Sequence, residues 1–393
     1  MRIYADNAAT TKLGAAAKTA MLEALEHYGN PSSLHSEGQK AAELLYDARE
    51  RIAKVLNCDV KEITFTSGGS ESDNQALLSA AKLGARKGKK HIISTAFEHH
   101  AVLHTLKKLE KEGFEVTLLP IPENGIVTAE QVKNALREDT CLVSVMYANN
   151  EIGTLQPIAE IGAVCRERGV LFHTDAVQAA GHLAIDVQKE QIDLLSLSAH
   201  KFHGPKGAGV LYARKGILLT SLIEGGAQER NRRAGTENLP AILGMAAALE
   251  EAVAAQVKNT ALAALRDRLI EGLSQIPHSL LNGDAEKRLP GNVHFCFEGI
   301  EGESLLLLLD DRGIAASSGS ACTTGSLDPS HVLLALGRPH EIAHGSLRLT
   351  LSHENTAEEV EKIIQDVTEV VAYLRSISPV WRTLQENGEF IIK

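Results

Sequence analysis

The chain lacks the features that would place it in several broad classes. It has no CxxC pair, and its five cysteines (Cys58, Cys141, Cys165, Cys296 and Cys322) are an odd number scattered over 393 residues. That pattern argues against a zinc knuckle or a disulfide framework and for reduced thiols. No apolar run is long enough to cross a bilayer: the richest, SLLLLLD, falls far short of the ~20 residues needed. The opening MRIYADNAATTKL has no apolar stretch after a basic one, so a secretory leader is not expected and a cytoplasmic location is. An excess of positive charge is missing too. With 40 Lys+Arg against 50 Asp+Glu the net charge is −10, which disfavours nucleic acid as a partner, and QERNRR and ARKGKKH are only local basic spots. Tandem repeats and low-complexity tails are absent.

What is present is the composition of an ordinary globular protein, 44% hydrophobic and 23% charged, long enough for two or three domains. Short β-branched runs recur: EITFTS, HIISTAF, FEVTLLPI, CLVSVMYAN, GVLFHTDAV, LLSLSAH and AGVLYAR. Most are separated by amphipathic helical patterns such as SDNQALLSAAKLGARKG, AVLHTLKKLEKEG and TAEQVKNALRE, the alternation of a mostly parallel sheet covered by helices. The last two runs are joined by only a short Gly/Pro loop, so AGVLYAR is expected to lie antiparallel. A helical stretch from Pro240 to about Ile276 then leads to strand, helix, a Ser/Gly/Ala segment, strand and a final helix, as in a smaller α+β domain.

Ligands of open α/β sheets sit at the carboxyl ends of strands, so polar residues there are read one by one. In FTSGGSESDN a strand, two glycines and a hydroxyl-rich helix start could hold a phosphate, although Ser70 with Asp73 also fits a capping box. Asp175 ends the strand of LFHTDAVQ, three residues before Gln178; it either caps a helix or holds a pyridine nitrogen protonated. The second reading needs a lysine for a Schiff base. LLSLSAHKFHGPKGAG offers Lys201 and Lys206, and Lys201, immediately past the strand end beside Ser198 and His200, is the candidate.

Two other patterns compete. HEIAH, His340 to His344, matches the zincin motif, but the following strand pattern allows only about one turn of helix and no third ligand is evident. In EHHAVLH, His100 and His104 read as a helix surface. No metal site is expected. Four cysteines sit in or beside apolar runs as small core residues; Cys322, in SSGSACTTGS among small residues, does not.

Taken together the residues resemble the cysteine desulfurases, pyridoxal phosphate enzymes of the class V aminotransferase family. The resemblance runs from YADNAATT through GNPSSLHSEG, FTSGGSESDN, EHHAVL, ANNEIGTLQPI, FHTDAVQAAG, SLSAHKFHGPKGAGVLY, RRAGTEN and SSGSACTTGSLDPSHVLLALG to SLRLTLS, nearly the whole chain. It implies an α/β protein of the fold type I PLP-dependent transferases. A large domain over 12–255 with a mostly parallel seven-stranded sheet would stand beside a small domain from 1–11 and 256–393. It implies that Lys201 condenses with the cofactor aldehyde, Asp175 pairs with the ring nitrogen, Gln178 approaches the ring hydroxyl and His99 stacks on the ring. Gly69, Ser70, Ser198 and His200 would hold the phosphate, with Thr236 reaching it from the other subunit of a homodimer. Asn150, beside the cofactor, and Arg348 would face the substrate carboxylate.

By the same resemblance Cys322 attacks the sulfur of bound L-cysteine after Lys201 takes the α-proton, leaving a persulfide and releasing L-alanine. His99 would move protons along the route. The long form of the Cys322 loop resembles the branch that supplies iron–sulfur cluster assembly, nitrogenase-associated members included, with an acceptor such as a cluster scaffold as partner. Selenocysteine lyases and transaminases share the cofactor, but a transaminase has no use for Cys322. A zinc hydrolase and a non-catalytic binding protein are the readings of other classes.

Overall fold

The computed structural model describes residues 2–318 and 329–393. A short strand β1 (Ile3–Tyr4) precedes the strands of the main sheet: β2 (Ile63–Thr66), β3 (His91–Thr95), β4 (Glu115–Leu119), β5 (Thr140–Ser144), β6 (Leu171–Asp175), β7 (Leu194–Ser198) and β8 (Gly209–Ala213). These form one seven-stranded sheet in the order β2-β8-β7-β6-β5-β3-β4. Neighbours from β7 through β6, β5 and β3 to β4 are parallel. β8 runs antiparallel to both β7 and β2, as the short Gly/Pro connection requires.

The strands read as nearly continuous apolar runs because both faces are covered. Alternate side chains enter different cores. Ile92, Leu142, Leu194 and Leu211 pack with Ala76, Leu77, Val102 and Leu106 of the helices Gly69–Ala85 and His100–Lys111. Ile93, Val143, Leu195 and Tyr212 pack on the other face with the helices Ser36–Leu56, Ile158–Glu167 and Leu239–Ala255. This period of two fixes which residues can reach the first helix pair, and it matters below.

The long helical stretch after Pro240 is two helices, Leu239–Ala255 and Asn259–Leu273, separated by a tight turn at Gln256–Lys258. Leu239–Leu273 is the stretch among the described residues apolar enough to compare with a membrane span, and its most apolar part is half buried within the fold. Beyond it, β9 (Ser279–Leu281), β10 (Asn292–Phe297) and β12 (Ser346–Thr350) make an antiparallel sheet in the order β12-β10-β9. β11 (Ile314–Ala315) pairs in parallel with β1, so the N-terminus joins this second region. Its core, including Phe295, Phe297, Leu347 and Leu349, is sealed by the helices Asn259–Leu273, Gly302–Asp311 and Ala357–Ile377. The very short strands β1, β9 and β11 have no counterpart in the sequence reading: two or three residues carry no periodicity.

Cys141, Cys165 and Cys296 are buried and Cys58 is half-buried, in keeping with small core residues. Burial pushes the Cys58, Cys165 and Cys296 thiols up to about 12 and Cys141 to about 11, so all four are poor nucleophiles. The HEIAH segment is a four-residue helix, His340–Ala343, with Ile342 and Ala343 packed inward.

Candidate active site

A cavity of about 690 Å³ opens at the carboxyl edge of the main sheet. Its walls include Gly69, Ser70, His99, Asn150, Asp175, Gln178, Ser198, His200, Lys201 and Arg348. The sequence-predicted residues thus converge from segments more than two hundred positions apart. Two do not join them in the described structure. Thr236 lines a small neighbouring cavity with Glu229 and Arg233, and Cys322 lies outside the described residues.

Each wall residue is placed by local structure. Lys201 closes a single turn, Ala199–Lys201, directly after β7. Its Nζ donates to the carbonyls of Ala8 (2.6 Å) and Ala9 (2.8 Å). Lys206 also lines the cavity but is exposed. The N-terminal segment is bound along this turn: Thr11 donates its backbone N–H and its hydroxyl to the His200 carbonyl, and His200 Nδ1 lies 3.1 Å from Thr10 Oγ1. Gln178 Nε2 donates to the Ala8 carbonyl. Sequence reasoning from residue types missed this wall, because backbone carbonyls carry no side-chain signature.

Asp175 ends β6, buried, with Oδ1 accepting the Val177 N–H at 2.9 Å. The bond closes a turn, and no helix follows for the aspartate to cap. Burial raises its pKa to about 6, opposed by that hydrogen bond and by Lys201. His99 caps the helix His100–Lys111, its Nδ1 accepting the Ala101 N–H, which puts the ring proton on Nε2. Burial, then the Lys201 charge, hold its pKa down at about 4, so the ring is neutral. Next to it His100 is half-buried against His331, ring centroids 4.5 Å apart, while His104 is exposed.

The glycine loop after β2 bears on its phosphate reading. The helix Gly69–Ala85 begins at Gly68 with no side-chain cap, so the alternative Ser70–Asp73 capping box is not formed. Gly68 has φ +153°, and a Cβ at Gly69 would stand 2.6 Å from Val177 Cγ2. Only glycines leave this cradle open beside the first turn of a helix, where amide N–H groups and the helix dipole favour an anion. Glu71 accepts the Ser67 N–H and pairs with Arg233 at 3.0 Å, tying the loop to the segment that leads to Thr236.

Across the cavity, Arg348 in the middle of β12 is 3% exposed. Nη1 donates to the Asn150 carbonyl (2.8 Å) and Nη2 to Asp6 (3.0 Å), while Nε has no hydrogen-bond partner among the described residues. An amine, a buried carboxyl, a neutral imidazole, a glycine–hydroxyl cradle and a guanidinium fit an aldehyde-bearing pyridine phosphate and an amino acid.

Comparison with known proteins agrees with this geometry. Residues 3–363 match the aminotransferase class-V family model. The cysteine desulfurase IscS of Methanosarcina thermophila is 54% identical over 388 residues, 97% of this chain and 96% of the relative. Cysteine desulfurase NifS of Azotobacter vinelandii is 47% identical over 383 residues, 96% of this chain and 95% of the relative. A solved NifS-like protein superposes with a TM-score of 0.89 at 39% identity, covering 95% of this chain and all of its own. The chain belongs to the cysteine desulfurases of the aminotransferase class-V family.

Proposed function

We propose that Lys201, His99, Arg348 and Cys322 carry out the desulfuration of L-cysteine to L-alanine, with the sulfur left as a persulfide on Cys322. The enzyme depends on pyridoxal 5′-phosphate, which supplies the aldehyde and the electron sink. Lys201 binds the aldehyde and is the base for the substrate α-proton. Asp175 would hold the ring nitrogen protonated, Gln178 would hold the ring hydroxyl and His99 would lie against the ring. Gly69, Ser70, Ser198 and His200 take the phosphate. Arg348 and Asn150 take the substrate carboxylate, Arg348 exchanging its Asp6 contact for the incoming anion. The neutral His99 Nε2–H would supply a proton donor in the cavity, and its low pKa keeps the ring uncharged near neutral pH.

The observation that carries this reading is the convergence of Lys201, Asp175 and Arg348 on one cavity. Residues 12–255 form the cofactor-holding part, and 1–11 with 256–393 the part that brings Arg348 and the Cys322 loop. The working form is a cytoplasmic homodimer. Two stretches leave large apolar side chains in water, Tyr28 at 82% and Leu34 at 92% in the first and Leu218 at 65% in the second, as a surface covered by a second copy would. Thr236 then reaches the partner's phosphate. The sulfur passes to an acceptor protein such as a scaffold for iron–sulfur cluster assembly. In the test, Cys322→Ser keeps the yellow colour of bound cofactor and loses persulfide formation; undiminished sulfur release by that variant removes Cys322 from the mechanism.

A further inference from the structure

On the sheet face that carries the helix Gly69–Ala85 the core is apolar toward the strand starts, through Leu142, Leu171 and Leu194. Two residues on, the same face turns polar. Ser144, His173 and Ser196, on the adjacent strands β5, β6 and β7, are all fully buried. His173 spans them, with Nδ1 2.8 Å from Ser144 Oγ and Nε2 3.1 Å from Ser196 Oγ. Asp73 descends onto this layer from the helix and also lines the floor of the cavity. It is 1% exposed, its Oδ1 lies 3.6 Å from His173 Nε2, and that oxygen has no hydrogen-bond partner among the described residues.

Ser196 supplies a side-chain hydrogen bond to this carboxyl, and a buried acid that keeps one oxygen unpaired on the floor of a ligand cavity marks a group with a role beyond core packing. The titratable groups around it are His173 and Asp175 on β6, Glu98 after β3 and Lys201 after β7. Burial holds His173 neutral, with a pKa of about 3. Burial and then the Asp175 charge drive Asp73 well above the usual carboxylate range, and burial takes Glu98 to about 8. The Asp73–His173 contact is therefore between two neutral groups, and of the two carboxyls that line the cavity, Asp73 and Asp175, burial side by side favours one charge over two.

We propose that Asp73 is a positioning residue for Asp175: a buried carboxyl that, with His173 and with Ser196 opposite Asp175 on the next strand, forms a polar floor and confines the negative charge to the aspartate opposite the cofactor's ring nitrogen. The inference rests on the role given to Asp175. What Asp73 supplies is a proton-bearing polar group of fixed shape, so an amide replaces it and an alkyl group does not.

The experiment titrates apoenzyme with pyridoxal 5′-phosphate and follows the visible band of the bound cofactor as a function of pH, with thermal unfolding of each apoprotein alongside. Asp73→Asn retains cofactor affinity within about twofold, whereas Asp73→Leu weakens it about tenfold, the scale of one lost buried hydrogen bond. Asp73→Leu also moves the midpoint of the visible titration by about one pH unit, and Asp73→Asn leaves it in place. Asp73→Ser, smaller and polar but too short to reach, behaves like the leucine variant and answers the question if the latter does not fold. An Asp73→Asn variant as impaired as Asp73→Leu, or leucine and serine variants that bind and titrate like the wild type, overturns the proposal. Asp175→Asn is the control: if it binds and titrates as the wild type does, the role of Asp175 fails first.

Discussion

The seven-stranded and three-stranded sheets meet the cavity in different ways. Parallel strands all end at the same edge, so β6 and β7 deliver Asp175, Ser198 and Lys201 to one place although the chain travels through helices between them. The antiparallel sheet has no such edge. It gives the cavity one side chain, Arg348, from the centre of β12, and Arg348 is held by Asp6 and Asn150 from other segments. The parallel region concentrates chemistry through topology, whereas the antiparallel region lends a single charge through tertiary packing.

Substitutions on the two sides should separate these contributions. Lys201→Ala has the largest effect, a loss of about 10⁴-fold or more in turnover, since nucleophile and base vanish together. Borohydride reduction followed by peptide mapping checks it: the wild type is labelled at Lys201 and the variant nowhere, and a label at Lys206 would reassign the lysine. Across the cavity, Arg348→Ala lowers kcat/KM about a hundredfold, mostly through KM, by removing a charge-assisted contact to the substrate carboxylate. Arg348→Lys recovers only part of it, because an ammonium lacks the two-pronged geometry. Steady-state kinetics in which kcat falls and KM does not would place Arg348 in the chemistry instead.

A smaller effect belongs to the parallel region alone. Glu98 is fully buried and keeps its proton in the folded protein to about 8, chiefly through burial. Unfolded, it ionises near its ordinary value, so above that value the folded state holds the extra proton and rising pH favours unfolding. Between pH 6.5 and 8 the apoprotein loses about 2 kcal/mol from this group. Glu98→Gln flattens that part of the pH–stability curve in denaturant unfolding; a curve unchanged by the substitution would show that Glu98 is ionised in the fold.

Much of the main sheet was legible because strands buried on both faces must be apolar throughout, and the loop between β7 and β8 is too short for any pairing but antiparallel. Lys201, Asp175 and Ser198 were legible for the same reason, being polar residues at the ends of such runs. The break at Gln256–Lys258 was not, since an Ala/Glu-rich stretch satisfies helical periodicity on both sides of it. Nor was Asp73: its residue type and position suit a helix cap, and only packing against His173 shows it buried and uncapped.

The sequence by itself determined the mostly parallel architecture and placed Lys201, Asp175 and Ser198 at strand ends, because hydrophobic period and strand-end polarity are local properties. Tertiary structure alone decided which carbonyls receive Lys201, which acid accompanies Asp175 and what holds Arg348. Those contacts join residues such as Ala8 with Lys201 and Asp6 with Arg348, and no local pattern in a chain encodes the distance between segments brought together only when the core closes.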